Sequence, residues 1–374
     1  MRKFLLLLFL IPVLAFAESM YSPTWGFILD LPAGYEFADG DGRDRFSFSG
    51  PENLIFDLVV YNARFNSIQD LITDVSNRIS NKGDFDFFTY NGRQAAIMEL
   101  TFSGYSGWGL VVELDSQDVS GRKPLLLALA YCPANRIDLD LLNLSALDSI
   151  CPSPAERFYP GPVMEYSYPR GVQRNTPLAV RGLSALVYEN DAEAAQALIE
   201  REFLIMQAYL DTPYLQDASI RYYRFIYRDS YDRIANAVSA IAYNFGGNFI
   251  ITNEQKRMFA QRTLSFVQGF IYERDLNGSD FLNLVTAVTG GRGDCDSRAM
   301  LFAVILSHVN IRSAIMISHH YSHAMGLADI AGSGARFESY GTQWLVAETT
   351  ANIDIGLIAQ DQNDPRNWFA VLFE

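Results

Sequence analysis

The feature that most constrains this chain is a cluster of six prolines near its middle: Pro152, Pro154, Pro160, Pro162, Pro169 and Pro177. Each fixes its own φ, removes an amide donor and disfavours helix in the residue before it, so no long helix or central strand crosses this stretch. The chain is expected to divide here, with residues 156–247 forming a linker and helical segment between an N-terminal domain (18–155) and a C-terminal one (248–374). A length of 374 residues fits two or three such units. With 49% hydrophobic and 19% charged residues, each side can fill a core, and disorder is not expected.

Residues 1–17 read as a signal peptide. Arg2 and Lys3 precede an apolar run, Phe4 to Leu14, interrupted by Pro12, and Ala15-Phe16-Ala17 is a small-residue cleavage site. The run has 11 residues, against the about 20 that a membrane-spanning helix needs. The expectation is an exported protein, periplasmic or secreted, without a membrane anchor after cleavage. The net charge of −14 becomes more negative once Arg2 and Lys3 are removed, which argues against nucleic acid and anionic membranes as partners.

Before the prolines the pattern is mostly period two. Gly26 to Leu31, Phe46 to Phe48, Leu54 to Val60, Gln94 to Thr101, Gly109 to Leu114 and Pro124 to Tyr131 read as strands. Ser67 caps a helix with Ile68, Leu71, Ile72, Val75 and Ile79 on one face, and Asp138 is placed to cap a second helix over 139–150. This predicts an α+β domain with an antiparallel sheet, and the order of elements resembles the PsbP-like fold. Cys132 and Cys151 flank the second helix, and in an oxidising compartment their pairing as a disulfide is expected. That leaves Cys295 alone.

Beyond the prolines, helices are predicted over 191–209 and 229–243. A third starts at a capping box of Thr252 and Gln255 and runs to about Ile271. The chemistry concentrates after it. Gly290-Gly291-Arg292-Gly293-Asp294-Cys295 is a glycine-rich turn entering an apolar helix, Ala299 to Leu306. Cys295 then lies at a helix N-terminus, where unpaired amides and the dipole favour a thiolate; Arg298 adds to this, while Asp294 and Asp296 oppose it unless they cap the turn. Of the four histidines, His308 falls on the far part of that helix, whereas His323 opens a strand, Ala324 to Ile330. Trp344 to Ala347 is an apolar strand ending in Glu348, and pairing of the two strands would bring Glu348 to His323. A thiol, an imidazole and a carboxylate in that order are a nucleophile, a base and the group that orients the base. His319 and His323 are four residues apart but fall on a loop or strand edge and not on the helix that a zinc motif of this kind needs, and no cofactor or metal is expected.

These residues carry a resemblance. Phe266-Val267-Gln268, Tyr272, Gly293-Asp294-Cys295-Asp296 with its apolar helix, His323-Ala324, Trp344 and Glu348-Thr349 resemble bacterial transglutaminase-like proteins, over about a quarter of the chain, Phe266 to Leu357. The resemblance implies a papain-like C-terminal core, a triad of Cys295, His323 and Glu348, and an oxyanion-hole amide from Gln268. Two positions depart from the family: Glu348 stands where Asp is usual, and Met325 where Trp often follows the histidine. The implied activity is acyl transfer on a peptide or carboxamide bond, to water (protease or amidase) or to an amine (cross-linking). A catalytically inactive module binding a peptide or partner protein is the alternative.

Overall fold

The computed structural model describes residues 19–115, 123–274 and 278–373. The signal peptide expected over 1–17 lies outside them. The protein is a mixed α+β chain with two large antiparallel sheets. The first is built from β1 (Glu36–Gly40), β2 (Arg45–Ser49), β3 (Ile55–Tyr61), β4 (Phe85–Tyr90), β5 (Arg93–Phe102), β6 (Tyr105–Glu113) and β7 (Leu125–Pro133), in the order β1-β2-β3-β7-β6-β5-β4. Alternation along β3, with Phe56, Leu58 and Val60 buried, explains the period-two pattern. One face packs on α1 (Ile68–Ile79) through Leu71, Ile72 and Val75, and Ser67 caps that helix as expected. The other face packs against Trp25, Phe27, Leu29 and α2 (Asp140–Asp148). Asp138 does not cap α2; its carboxylate pairs instead with Arg136.

The proline-rich stretch is not a loose linker. It folds into a short helix, α3 (Pro162–Ser167), and the first strand of a hairpin, β8 (Gln173–Pro177) with β9 (Ser184–Tyr188). Val163 and Met164 are buried in two different cores. The helices that follow, α4 (Asp191–Gln207), α5 (Leu215–Arg233) and α6 (Ala235–Asn244), share one apolar core with α7 (Asn253–Gln268), α8 (Leu284–Gly290) and α9 (Cys295–His308). The middle helices therefore form part of the body that carries the C-terminal sheet. Against the N-terminal half they present a polar seam. Arg221 donates to Asp30 O and Glu202, Arg224 pairs with Asp30, and Arg228 donates to the carbonyls of Asp148, Ser149, Ile150 and Tyr159.

The expected disulfide is absent. Cys132 and Cys151 are both free. Cys132 lies on β7 among Leu54, Leu139 and Tyr209, and its sulfur meets Asn143 and the Arg136 carbonyl. Cys151 bridges Ile28 beyond α2, and its thiol donates to Ser153 O at 3.0 Å. Packing of α2 on the sheet puts the two thiols in separate pockets, although they are neighbours in sequence.

The second sheet has the order β12-β13-β11-β10-β14, from β10 (Ser313–Ser318), β11 (His323–Ala328), β12 (Arg336–Ser339), β13 (Thr342–Ala347) and β14 (Phe369–Leu372). Its inner face packs on α9, which is apolar all round and buried on every side from Ala299 to Leu306, the mark of a central helix. At Gly326 of β11 the helix comes close enough that a Cβ there would stand 2.5 Å from the Phe302 ring. Among the described residues no helix is long and apolar enough to cross a membrane.

Candidate active site

Three chain segments meet at Cys295. The turn before α9 starts from Gly291, which ends α8 in the left-handed region (φ 65°) that glycine adopts without penalty. Asp294 then caps α9, accepting from Ser297 N at 2.8 Å and from Ser297 Oγ at 2.5 Å. Cys295 is thus the first helical residue, as the sequence predicts. Arg298 keeps its positive charge within coulombic range of the sulfur, as expected. Its guanidinium donates to the carbonyls of Gly293, Phe270 and Thr349, tying together the turn, the end of α7 and the end of β13.

Pairing of β11 with β13, with Gly326 opposite Ala347, carries Glu348 to His323. His323 Nε2 stands 2.8 Å from Glu348 Oε2. A carboxylate can only accept, so this contact assigns the proton to Nε2 and leaves Nδ1 of the neutral ring as an acceptor. The other Glu348 oxygen is held by Thr350, through its amide at 2.7 Å and its hydroxyl at 2.6 Å. Burial alone would raise the Glu348 carboxyl, but the His323 ring and Thr350 hold it below the usual range. Trp368, just before β14, presents its ring to the imidazole edge-on at 6.3 Å.

The sulfur lies against the strand that carries this pair. It meets the backbone amide of Ala324, the residue next to His323, and the hydroxyl of Tyr272, which burial, Cys295 and Asp294 push up to about 12, so it is a neutral donor. Its side-chain contact is with Asp296 Oδ1 at 3.9 Å. The expected thiolate is therefore opposed in the resting protein. Burial first, then the Asp296 and Asp294 carboxylates, push the Cys295 thiol up. Asp294 does cap the turn, but Asp296 does not, and the helix terminus is outweighed.

Gln268 is not placed to serve an oxyanion. Its Nε2 donates to Glu348 O at 2.8 Å and Ile353 O at 2.9 Å, so both amide hydrogens are committed to the loop after β13. Its role is to hold that loop, and with it Glu348. His308 bonds to Ser239 on α6, away from the site; His319 meets Ser219 on α5, and His320 meets the Tyr321 ring edge-on. Among the described residues, donor atoms within 4.8 Å of one another come from Asp294, Cys295 and Asp296, but Asp294 Oδ1 is engaged as the helix cap. A cleft lined by Ile28, Asp30, Cys151, Arg224 and Phe373 lies at the seam between the halves and holds no nucleophile–base pair.

Sequence reasoning missed Thr350 and Trp368. Thr350 had a signal, a hydroxyl two residues beyond the carboxylate; Trp368 had none, since it arrives from the far end of the chain.

No family model matches the chain, and no curated protein matches it. Among solved structures, one from Bacteroides thetaiotaomicron VPI-5482 is 8% identical, covering 87% of this chain and 88% of its own, with a TM-score of 0.25. A second, a proposed protease from Parabacteroides distasonis ATCC 8503, is 12% identical with a TM-score of 0.22; 66% of this chain aligns to 40% of that one. Similarities this low carry no weight for fold or function.

Proposed function

We propose that the protein is an exported thiol enzyme of acyl transfer, of the bacterial transglutaminase-like type, acting on peptide or carboxamide bonds. The observation that carries this reading is the 2.8 Å contact of His323 Nε2 with Glu348, which leaves Nδ1 as acceptor on the strand whose next amide, that of Ala324, meets the Cys295 sulfur. In this reading Nδ1 takes the thiol proton as sulfur attacks the carbonyl carbon. The first-turn amides of α9 and the Tyr272 hydroxyl receive the oxyanion. The C–N bond breaks as the imidazolium returns its proton to the leaving nitrogen, and a thioester remains. Water then releases an acid, or an amine forms a new amide. Water is the favoured acceptor, since no dedicated amine-acceptor channel is evident in the sequence.

The test is alkylation of Cys295 by iodoacetamide near neutral pH, followed on its own peptide by mass spectrometry. The wild type should react about tenfold or more faster than His323→Ala, and an electrophilic peptide amide should label the wild type but not Cys295→Ala. Equal alkylation of wild type and His323→Ala would exclude the triad and leave the alternative, a catalytically inactive module that binds a peptide or partner protein.

A further inference from the structure

The cleft at the seam takes its lining from both halves, with Ile28 and Cys151 on one side and Phe225 and Phe373 on the other. Junctions of this kind are where ligand sites concentrate. Its charge is unusual in a chain of net charge −14. Three guanidiniums, Arg157, Arg224 and Arg228, face the cleft against a single carboxylate, Asp30. Arg224 and Asp30 pair at 2.6 Å, so the other two cations are in excess. Arg228 lies deep, and its donors go to the carbonyls of Tyr159, Asp148, Ser149 and Ile150, which solvate the charge without cancelling it. The Asp148 carboxylate acts on Arg228 through space but is paired with Arg201. Arg157 is exposed, with its guanidinium 4.6 Å from the centroid of the Phe158 ring. Among the described residues no ion pair reaches Arg157 or Arg228, and no side-chain hydrogen bond engages Arg157.

Size narrows the ligand further. The cleft encloses about 130 Å³, close to the roughly 150 Å³ of an apolar cavity that takes one benzene. Its aromatic wall is continuous: Phe373 stacks on Tyr227 at 3.9 Å, and Phe158 meets Tyr227 edge-on at 5.7 Å. An open depression of about 610 Å³ shares Arg157, Phe158, Tyr227 and Phe373 with the cleft and runs on to Asn310 and Ser313. We propose that the seam cleft binds the carboxyl-terminal residue of a peptide whose last side chain is aromatic. The ring enters the cleft, the α-carboxylate meets Arg157, and the preceding residues lie along the depression. A guanidinium offers a planar fork of donors that matches a carboxylate, and the uncancelled charge of Arg228 adds to the attraction from below. Cys295 does not line the cleft, so this site does not depend on the acyl-transfer reading.

Calorimetric titration of the full chain carrying Cys295→Ala, which leaves a peptide intact whatever the wild type does to it, tests this. The probes are N-acetyl-alanyl-phenylalanine, its carboxamide, N-acetyl-dialanine and 3-phenylpropanoate. The phenylalanine acid should bind saturably and about tenfold or more tightly than its carboxamide, which lacks the charge. The dialanine acid, which lacks the ring, should be weaker by a similar factor. Adding Arg157→Ala should remove about tenfold from the phenylalanine acid, and Arg157→Lys, which keeps the charge but not the fork, should fall between. Equal affinity for acid and carboxamide, or an affinity that Arg157→Ala leaves unchanged, would overturn the proposal. So would 3-phenylpropanoate binding as tightly as the dipeptide, because a free aromatic acid would then be ligand enough.

Discussion

Replacing Glu348 with Gln isolates the role of a single charge. The side chain keeps its volume in a site where Glu348 is 5% exposed. Both Thr350 donors, the amide at 2.7 Å and the hydroxyl at 2.6 Å, bind the same oxygen, Oε1. A glutamine that preserves them must turn its NH2 toward His323 Nε2, which in the wild type stands 2.8 Å from Oε2. Donor would then face donor. The ring escapes by moving its proton to Nδ1, and Nδ1 is the atom that must accept from the thiol. Loss of one charge-assisted hydrogen bond is worth about 1.5–3 kcal/mol, which is about ten- to a hundredfold in the population of the competent ring. Alkylation of Cys295 by iodoacetamide should slow by about that factor in Glu348→Gln. Glu348→Asp keeps the charge and the tautomer but shortens the reach, so its rate should fall between the two. A Gln variant that alkylates as fast as the wild type would refute the assignment of Nδ1 as base.

The remaining predictions concern the scaffold. Burial raises the Asp294 carboxyl from its ordinary 3.8 to about 6, so between those values the folded protein holds a proton that the unfolded chain has released, and stability falls as pH rises through that window. Asp294→Asn keeps the cap without the charge, and its Tm relative to wild type should climb over that same window and level off above it; a flat difference would contradict the raised pKa. Gly326→Ala drives a methyl toward the Phe302 ring and should cost about 1–3 kcal/mol in urea unfolding, while an unchanged midpoint would mean that α9 and β11 are not in contact. Alkylation after denaturation without reductant should label all of the cysteines, Cys132, Cys151 and Cys295, and an oxidised pair in the intact mass would restore the disulfide.

Local signals were legible wherever a residue acts on its own turn of chain. The capping box of Thr252 and Gln255 forms as read, with both reciprocal hydrogen bonds. Asp294 caps α9, and Cys295, His323 and Glu348 lie at the helix start, strand start and strand end that their neighbours implied. By contrast, α5 begins at Leu215, well before the 229 expected, because Arg221, Arg224 and Arg228 interrupt its apolar stripe. Those arginines face a polar seam that exists only once the two halves are packed together. Gln268 failed for a related reason, since its partners, the carbonyls of Glu348 and Ile353, lie 80 and 85 residues away.

What the sequence determined by itself was the kind of chemistry available and the local platform for each group. Caps, turns and periodicity depend on neighbours within a few residues, and these are written consecutively. Only the tertiary structure decided how charges add at the sulfur: the helix terminus favours the anion, but burial and the flanking carboxylates of Asp296 and Asp294 outweigh it. It also decided that Cys132 and Cys151 stay apart. Solvent exclusion and contacts between distant segments are sums over the whole fold, and no window of sequence contains them.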